Sequence, residues 1–189
     1  FETVKIKVAE QGEALVDDLA RVFATNKLFP GQKIRLDANG GDSVKQALEL
    51  LQKLDGLPIE YFEQPVETIE QLVELKSSML AMGLNVKIAA DESIRKANDP
   101  MLVAASGAAD IAVLKVQPLG GISSALEMSK QMALEPVVSS ALETSLGISQ
   151  GLFLASLLPS LDYACGLGTV SLLATDIAKN PLIPVNGFL

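Results

Sequence analysis

Two sequence periods alternate along the whole chain, and this alternation restricts the possible folds more than any other feature. A short, β-branched apolar run is followed each time by a longer stretch whose apolar residues recur at helical spacing. Strands are expected near 3–8, 34–38, 59–63, 86–90, 110–116, 136–140 and 162–165, and helices near 12–25, 43–54, 68–81, 99–106, 122–133 and 145–158. Helix starts are marked by Asp42-Ser43 ahead of Val44, Ala47, Leu48 and Leu51, and by Thr68 followed by Gln71. Strand starts recur about every 25 residues, as serial βα units require, and such a series closes into a barrel or opens into a doubly wound sheet.

Side-chain parity favours the barrel. Alternate residues of a strand face the same way, and here the polar members share one parity: Lys5 and Lys7; Arg35, Asp37 and Asn39; Tyr61 and Glu63; Lys87 and Asp91; Lys115 and Gln117. In an open sheet these rows would lie unpaired under helices, at a cost of several kcal/mol per charge. Inside a barrel they converge on one another, while the opposite parity (Val4, Ile6, Val8; Ile34, Leu36; Ile88, Ala90; Leu114, Val116) is apolar and suits an outer ring of helices. The fold expected is an α/β, TIM-like (β/α)7β barrel. The stretch after Gly168, with Leu172, Leu173, Ile183 and Val185, is left to supply a last strand or a closing segment.

Composition narrows the chemistry. The 189 residues, 49% hydrophobic, suit one domain spanning 1–189, and 15 basic against 23 acidic side chains argue against nucleic acid or an anionic membrane as partner. Histidine is absent, which removes Ser-His-Asp and Cys-His catalysis. The single cysteine, Cys165, forms no intrachain disulfide and reads as a buried structural residue, so the cytoplasm is the expected compartment. Gly120-Gly121 opens a helix after a strand and fits either an anion contact or a tight turn.

Three acids stand at or near the ends of consecutive strands: Asp37 in Arg-Leu-Asp-Ala-Asn, Glu63 in Tyr-Phe-Glu-Gln-Pro and Asp91 in Ala-Ala-Asp-Glu-Ser, 26 and 28 residues apart. Read singly, each fits a helix cap or a solvated loop. In register on a barrel rim they become adjacent anions that call for a hard divalent cation, Mg²⁺ or Mn²⁺. Lys5 and Lys7 point the same way on the first strand, where like-charge crowding would lower a lysine pKa and make a usable base; solvated lysines on an edge strand are the alternative. Lys115 ends the fifth strand and fits either a second catalytic lysine or an ion pair with a rim carboxylate. A Schiff-base aldolase using Lys115 or Lys7 is the reading from a different enzyme class.

The ordered set Lys-x-Lys, Asp-x-Asn, Glu-Gln-Pro, Asp-Glu-Ser and Lys-x-x-x-x-Gly-Gly resembles the muconate-lactonizing branch of the enolase superfamily. Within it, the segments 90–96, 113–121, 138–144 and 164–169 resemble o-succinylbenzoate synthases of the menaquinone pathway, particularly actinobacterial ones. The resemblance implies Asp37, Glu63 and Asp91 as Mg²⁺ ligands, Lys7 as general acid/base tuned by Lys5, and Lys115 as the enolate-stabilising lysine opposite. Arg35, Asn39, Ser139 and Ser140 match substrate-binding positions. The implied substrate is a small carboxylate, dehydrated to o-succinylbenzoate, with racemisation of N-succinylamino acids or dipeptide epimerisation as the alternative within the superfamily. Family members carry an N-terminal α+β capping domain, whereas this chain starts at Phe1 almost directly on the first strand. It is therefore expected to be a barrel without its cap, with a folded but inactive module, or one that works only with that partner, as the alternative to an active enzyme.

Overall fold

The computed structural model describes residues Phe1–Leu189, which group into two compact units, Phe1–Asp110 and Ile111–Leu189. In the first, strands β1 (Thr3–Lys7), β2 (Lys33–Asp37), β3 (Ile59–Glu63) and β4 (Lys87–Ala90) lie parallel in chain order. The register aligns Lys5, Arg35, Tyr61 and Lys87 in one row and Lys7, Asp37, Glu63 and Ala89 in the next, as parity predicts. Opposite-parity residues form the core: Ile34, Leu36, Phe62 and Ile88 are at most 1% exposed. Each such side chain contributes roughly 1.5–3 kcal/mol by leaving water.

Helices α1 (Leu15–Leu28), α2 (Val44–Lys53) and α3 (Ile69–Ala81) link these strands. Val22 from α1, Leu50 and Leu51 from α2, and Leu72, Leu75 and Met79 from α3 are buried. Ser43 and Thr68 accept the N–H groups of Gln46 and Gln71, whose side chains return the contact to the cap N–H, so both expected start signals operate. α1 is shifted from its expected bounds. Gly12 adopts φ +88° and delays the start until the Asp17 carboxylate accepts the Ala14 N–H, while Phe29, restricted by Pro30, ends the helix. A single turn, α4 (Glu92–Arg95), follows β4 where no helix was expected, and α5 (Met101–Ala105) follows it.

One irregularity re-aims a charge. Between β2 and β3, Ile34 faces Ile59 but Arg35 faces Tyr61, which leaves Glu60 as the extra residue of a bulge. Parity assigns Glu60 to the apolar side; the bulge instead sets its carboxylate against Lys33 at 2.9 Å and Arg35 at 2.6 Å.

In the second unit, β5 (Ile111–Leu114) and β6 (Glu135–Val138) are parallel, with α6 (Ile122–Met132) between them and α7 (Ser145–Leu157) after β6. The strand expected at 162–165 does not form. Pairing contracts to one bridge, Ser139 with Gly166, because the Gly166 carbonyl accepts both the N–H and the hydroxyl of Ser140, and the chain then turns into a 3-10 segment, Thr169–Leu172. No strand follows. Val185 and Phe188 exchange backbone hydrogen bonds across Asn186-Gly187, both at positive φ, in a tight turn. α7 has no side-chain cap from its own Thr144; the Asp176 carboxylate, from the tail, accepts the Ser145 N–H and hydroxyl. No helix is long and apolar enough to cross a membrane.

Candidate active site

The carboxylates stand at the C-terminal ends of three neighbouring strands. Asp37 and Glu63 end β2 and β3, and Asp91 lies one residue past β4; they are 1%, 1% and 0% exposed. Three acids so buried carry a large desolvation cost unless cations face them. Lys5 Nζ lies between two of them, 2.7 Å from Asp37 Oδ2 and 2.9 Å from Glu63 Oε1. Lys7 Nζ is also 2.7 Å from Asp37 Oδ2, and Arg95 Nε lies 3.0 Å from Asp91 Oδ1.

The electrostatics follow. Burial pushes the Glu63 carboxyl up to about 7; Lys5 opposes this, while Asp37 and Asp91 add to it, so the three acids sense one another. Burial acts the same way on Asp37, yet its ion pairs with Lys5 and Lys7 outweigh it and hold the carboxyl below its ordinary range. Like-charge crowding was the expectation for Lys5, and the structure overturns it. Burial lowers the Lys5 pKa, but Glu63 and Asp37 more than compensate, leaving the ammonium above its usual value. Parity alone showed two lysines on one face, whereas the register sets each against a carboxylate.

No trio of Asp, Glu, His or Cys side chains is gathered into a ready-made metal cage. The donor set nevertheless fits a hard divalent cation: three buried carboxylates, no soft ligand, and an ammonium holding the position between Asp37 and Glu63 that such a cation would take. A cation shared by all three carboxylates would compete with Lys5, Lys7 and Arg95 for them.

Asn39, expected to bind substrate, is held in the protein by a left-handed backbone at φ 48°. Its Oδ1 accepts a hydrogen bond from Lys7 Nζ, and its Nδ2 donates to Glu92 Oε1 at 3.2 Å. Glu92 in turn pairs with Arg95, so a polar chain runs Lys7–Asn39–Glu92–Arg95–Asp91. Arg35, also expected at the substrate, is 5% exposed, one strand row below Asp37, with Glu60 at 2.6 Å and the Tyr61 ring 4.7 Å away. A cavity of 510 Å³ opens beside these loops and is lined by Asn39, Gly40, Gln64, Glu92, Ser93 and Lys96 among others, but by none of the three carboxylates or the two lysines.

In the second unit, Lys115 directly follows β5, and Ser139 and Ser140 directly follow β6. The Ser140 hydroxyl donates to Gly166 O at 3.0 Å and contacts Thr169 Oγ1 at 2.8 Å. These strand-end positions match expectation, while the serine hydroxyls serve the fold. Residues that sequence reasoning missed are Gln64, Glu92, Arg95 and Glu60. Gln64 and Glu92 stand beside ligand-type acids in Glu-Gln-Pro and Asp-Glu-Ser, and that adjacency was the available signal; nothing in the sequence marks the bulge at Glu60.

Known proteins resemble this chain in sequence and in fold. An o-succinylbenzoate synthase of Thermobifida fusca (strain YX) is 47% identical over 188 residues, covering 99% of this chain and 58% of the relative. One from Mycobacterium tuberculosis (strain H37Rv) is 51% identical over 189 residues, covering 99% and 55%. The chain thus spans little more than half the length of these relatives. Muconate lactonizing enzyme from Pseudomonas putida superposes with a TM-score of 0.83 at 26% identity, over 95% of this chain and 50% of that one. A dipeptide epimerase from Enterococcus faecalis V583 gives 0.82 at 28% identity, over 97% and 53%. The fold class is therefore α/β of the TIM-like barrel type expected from parity, and, as the family model for enolase C-terminal domain-like proteins matches residues 1–189, the chain belongs to that family.

Proposed function

We propose that this chain is the catalytic barrel of an o-succinylbenzoate synthase, dehydrating 2-succinyl-6-hydroxy-2,4-cyclohexadiene-1-carboxylate. The observation that carries this reading is the 51% identity to such a synthase along essentially the whole chain, against 26% to the muconate lactonizing enzyme of the same fold.

Asp37, Glu63 and Asp91 would hold Mg²⁺, with Mn²⁺ as a substitute. Bound there, the cation supplies stabilisation of the negative charge that builds on the substrate carboxylate as its α-proton leaves. Lys7, as the neutral amine, takes that proton: the C–H bond breaks and its electron pair passes into the carboxylate. The resulting ammonium then gives the proton to the departing hydroxyl, the C–O bond breaks, and water leaves as the ring becomes aromatic. One residue thus serves both halves of a syn elimination. Asn39 orients the Lys7 Nζ, Lys5, two residues away on the same face of β1, tunes Lys7, and Lys115 stabilises the enolate. Arg35, Ser139 and Ser140 support the substrate-facing strand ends. An N-terminal capping domain closes over the substrate.

Loss of diene absorbance with Mg²⁺ present, abolished by EDTA and by Lys7→Ala, is the expected result. A protein that leaves the diene untouched, even with a capping domain added in trans, is not this synthase. The similarity to a dipeptide epimerase favours one second reading, proton exchange at a single α-carbon. Exchange of an N-succinylamino acid or dipeptide α-proton in D₂O, without dehydration of the diene, would select it.

A further inference from the structure

Gln64 is fully buried, has a left-handed backbone at φ 36°, and takes no part in the chemistry above. A non-glycine residue held there costs on the order of 1 kcal/mol, so the surrounding bonds must over-determine it. They do. Its side-chain Oε1 accepts the N–H groups of Asp91 at 3.1 Å and Ser93 at 3.0 Å, while Nε2 donates to Val66 O at 2.9 Å and Ser93 Oγ at 2.8 Å. All four hydrogen-bonding positions of the amide are thereby filled. Its backbone completes the set: Gln64 N donates to Ala89 O at 2.8 Å, and Gln64 O accepts the Gly40 N–H at 2.7 Å.

These six bonds reach the strand-end segment at each candidate metal ligand. Gly40 lies three residues after Asp37, Glu63 directly precedes Gln64, and Asp91 is bonded through its own N–H. We propose that Gln64 is the positioning residue that fixes the spacing of Asp37, Glu63 and Asp91 for a divalent cation, an inference that rests on the metal reading above. A neighbour that aims ligands without touching the cation acts as an outer-shell partner, and its loss lowers affinity rather than removing the site.

The test is Mn²⁺ binding, followed by electron paramagnetic resonance in the intact chain. Gln64→Met keeps the length and apolar volume but has no donor and only a weak thioether acceptor in place of the amide, and is expected to weaken Mn²⁺ binding by about tenfold or more while circular dichroism shows it folded. Leu72→Ala, which destabilises α3 without removing any hydrogen bond of the Gln64 side chain, is expected to leave Mn²⁺ affinity within about twofold. By reciprocity, saturating Mg²⁺ should slow amide exchange at Asp91 and Ser93 in the wild-type protein by about tenfold, a readout that does not require the variant to fold. Wild-type binding with Gln64→Met unchanged, an equal loss in Leu72→Ala, or exchange at those two amides unmoved by Mg²⁺ overturns the role of Gln64 alone. Failure of the wild-type chain to bind Mn²⁺ overturns the metal reading and this inference with it.

Discussion

Lys7 and Asp42 show how differently two charged residues in one unit can be employed. Lys7 ends β1 against Asp37 and Asn39 and, under the function proposed above, is the group that moves the α-proton. Replacing it with Ala, or with Arg, whose guanidinium does not give up a proton at working pH, should lower kcat by roughly 10²–10⁴-fold, measured at saturating Mg²⁺ and substrate. Asp42 has the opposite character: its Oδ2 is buried without a hydrogen-bond partner, and burial, reinforced by Asp18, pushes the carboxyl up to about 6. The folded state therefore holds this proton more tightly than the unfolded chain, whose aspartates titrate near ~3.9. Asp42 favours folding fully below that value, and its contribution is lost as pH rises through about 6. Asp42→Asn should consequently be more stable than wild type at pH ~7 by about 1 kcal/mol, after allowance for solvent screening, with the advantage gone below pH ~4. Urea unfolding at the two pH values measures it.

Elements succeed or fail as their ends are satisfied. The loop after β2 runs Ala38-Asn39-Gly40-Gly41, and a Cβ at Gly41 would lie 2.6 Å from Ala9 O and 3.0 Å from Ala38 O. Gly41→Ala should therefore destabilise the first unit by roughly 1–3 kcal/mol, read as a lower urea midpoint. α7 depends on a distant residue, Asp176, for its N-terminal cap, so Asp176→Ala should free the tail and speed limited proteolysis after residue 176 severalfold relative to wild type. What was legible in the sequence follows from the same contrast. Strand parity is a local, period-two property, and it placed Lys5, Lys7, Asp37 and Glu63 on one face in register. Ser43 and Thr68 were legible because a cap and its partner lie within one helical turn. The Glu60 bulge, the cap from Asp176 and the collapse of the 162–165 strand to a bridge at Gly166 were not, since each depends on a partner distant in the chain. The raised pKa of Lys5 is illegible for the same reason: Lys-Ile-Lys shows its like-charged neighbour, while the opposing carboxylates stand 32 and 58 positions away from Lys5.

At the scale of the whole chain, acids outnumber bases by eight, and three of those acids are buried together at the strand ends of the first unit. Lys5, Lys7 and Arg95 meet part of that charge, yet burial, with repulsion from Asp37 and Asp91 added to it, still pushes the Glu63 carboxyl up to about 7, so keeping all three acids ionised is costly. A cation that binds only the folded arrangement removes the repulsion and stabilises the fold by mass action, about 2.7 kcal/mol at a concentration 100 times its Kd. For a chain of this size each kcal/mol moves the transition by roughly 2–4 °C. Mg²⁺ at that excess should therefore raise Tm by roughly 5–10 °C. Asp37→Asn removes one proposed ligand, and the shift should then shrink to a small fraction of its wild-type size. Calorimetry with Mg²⁺, and with Na⁺ at matched ionic strength, separates specific binding from screening: an equal rise with both salts would mean that the carboxylates are merely being shielded.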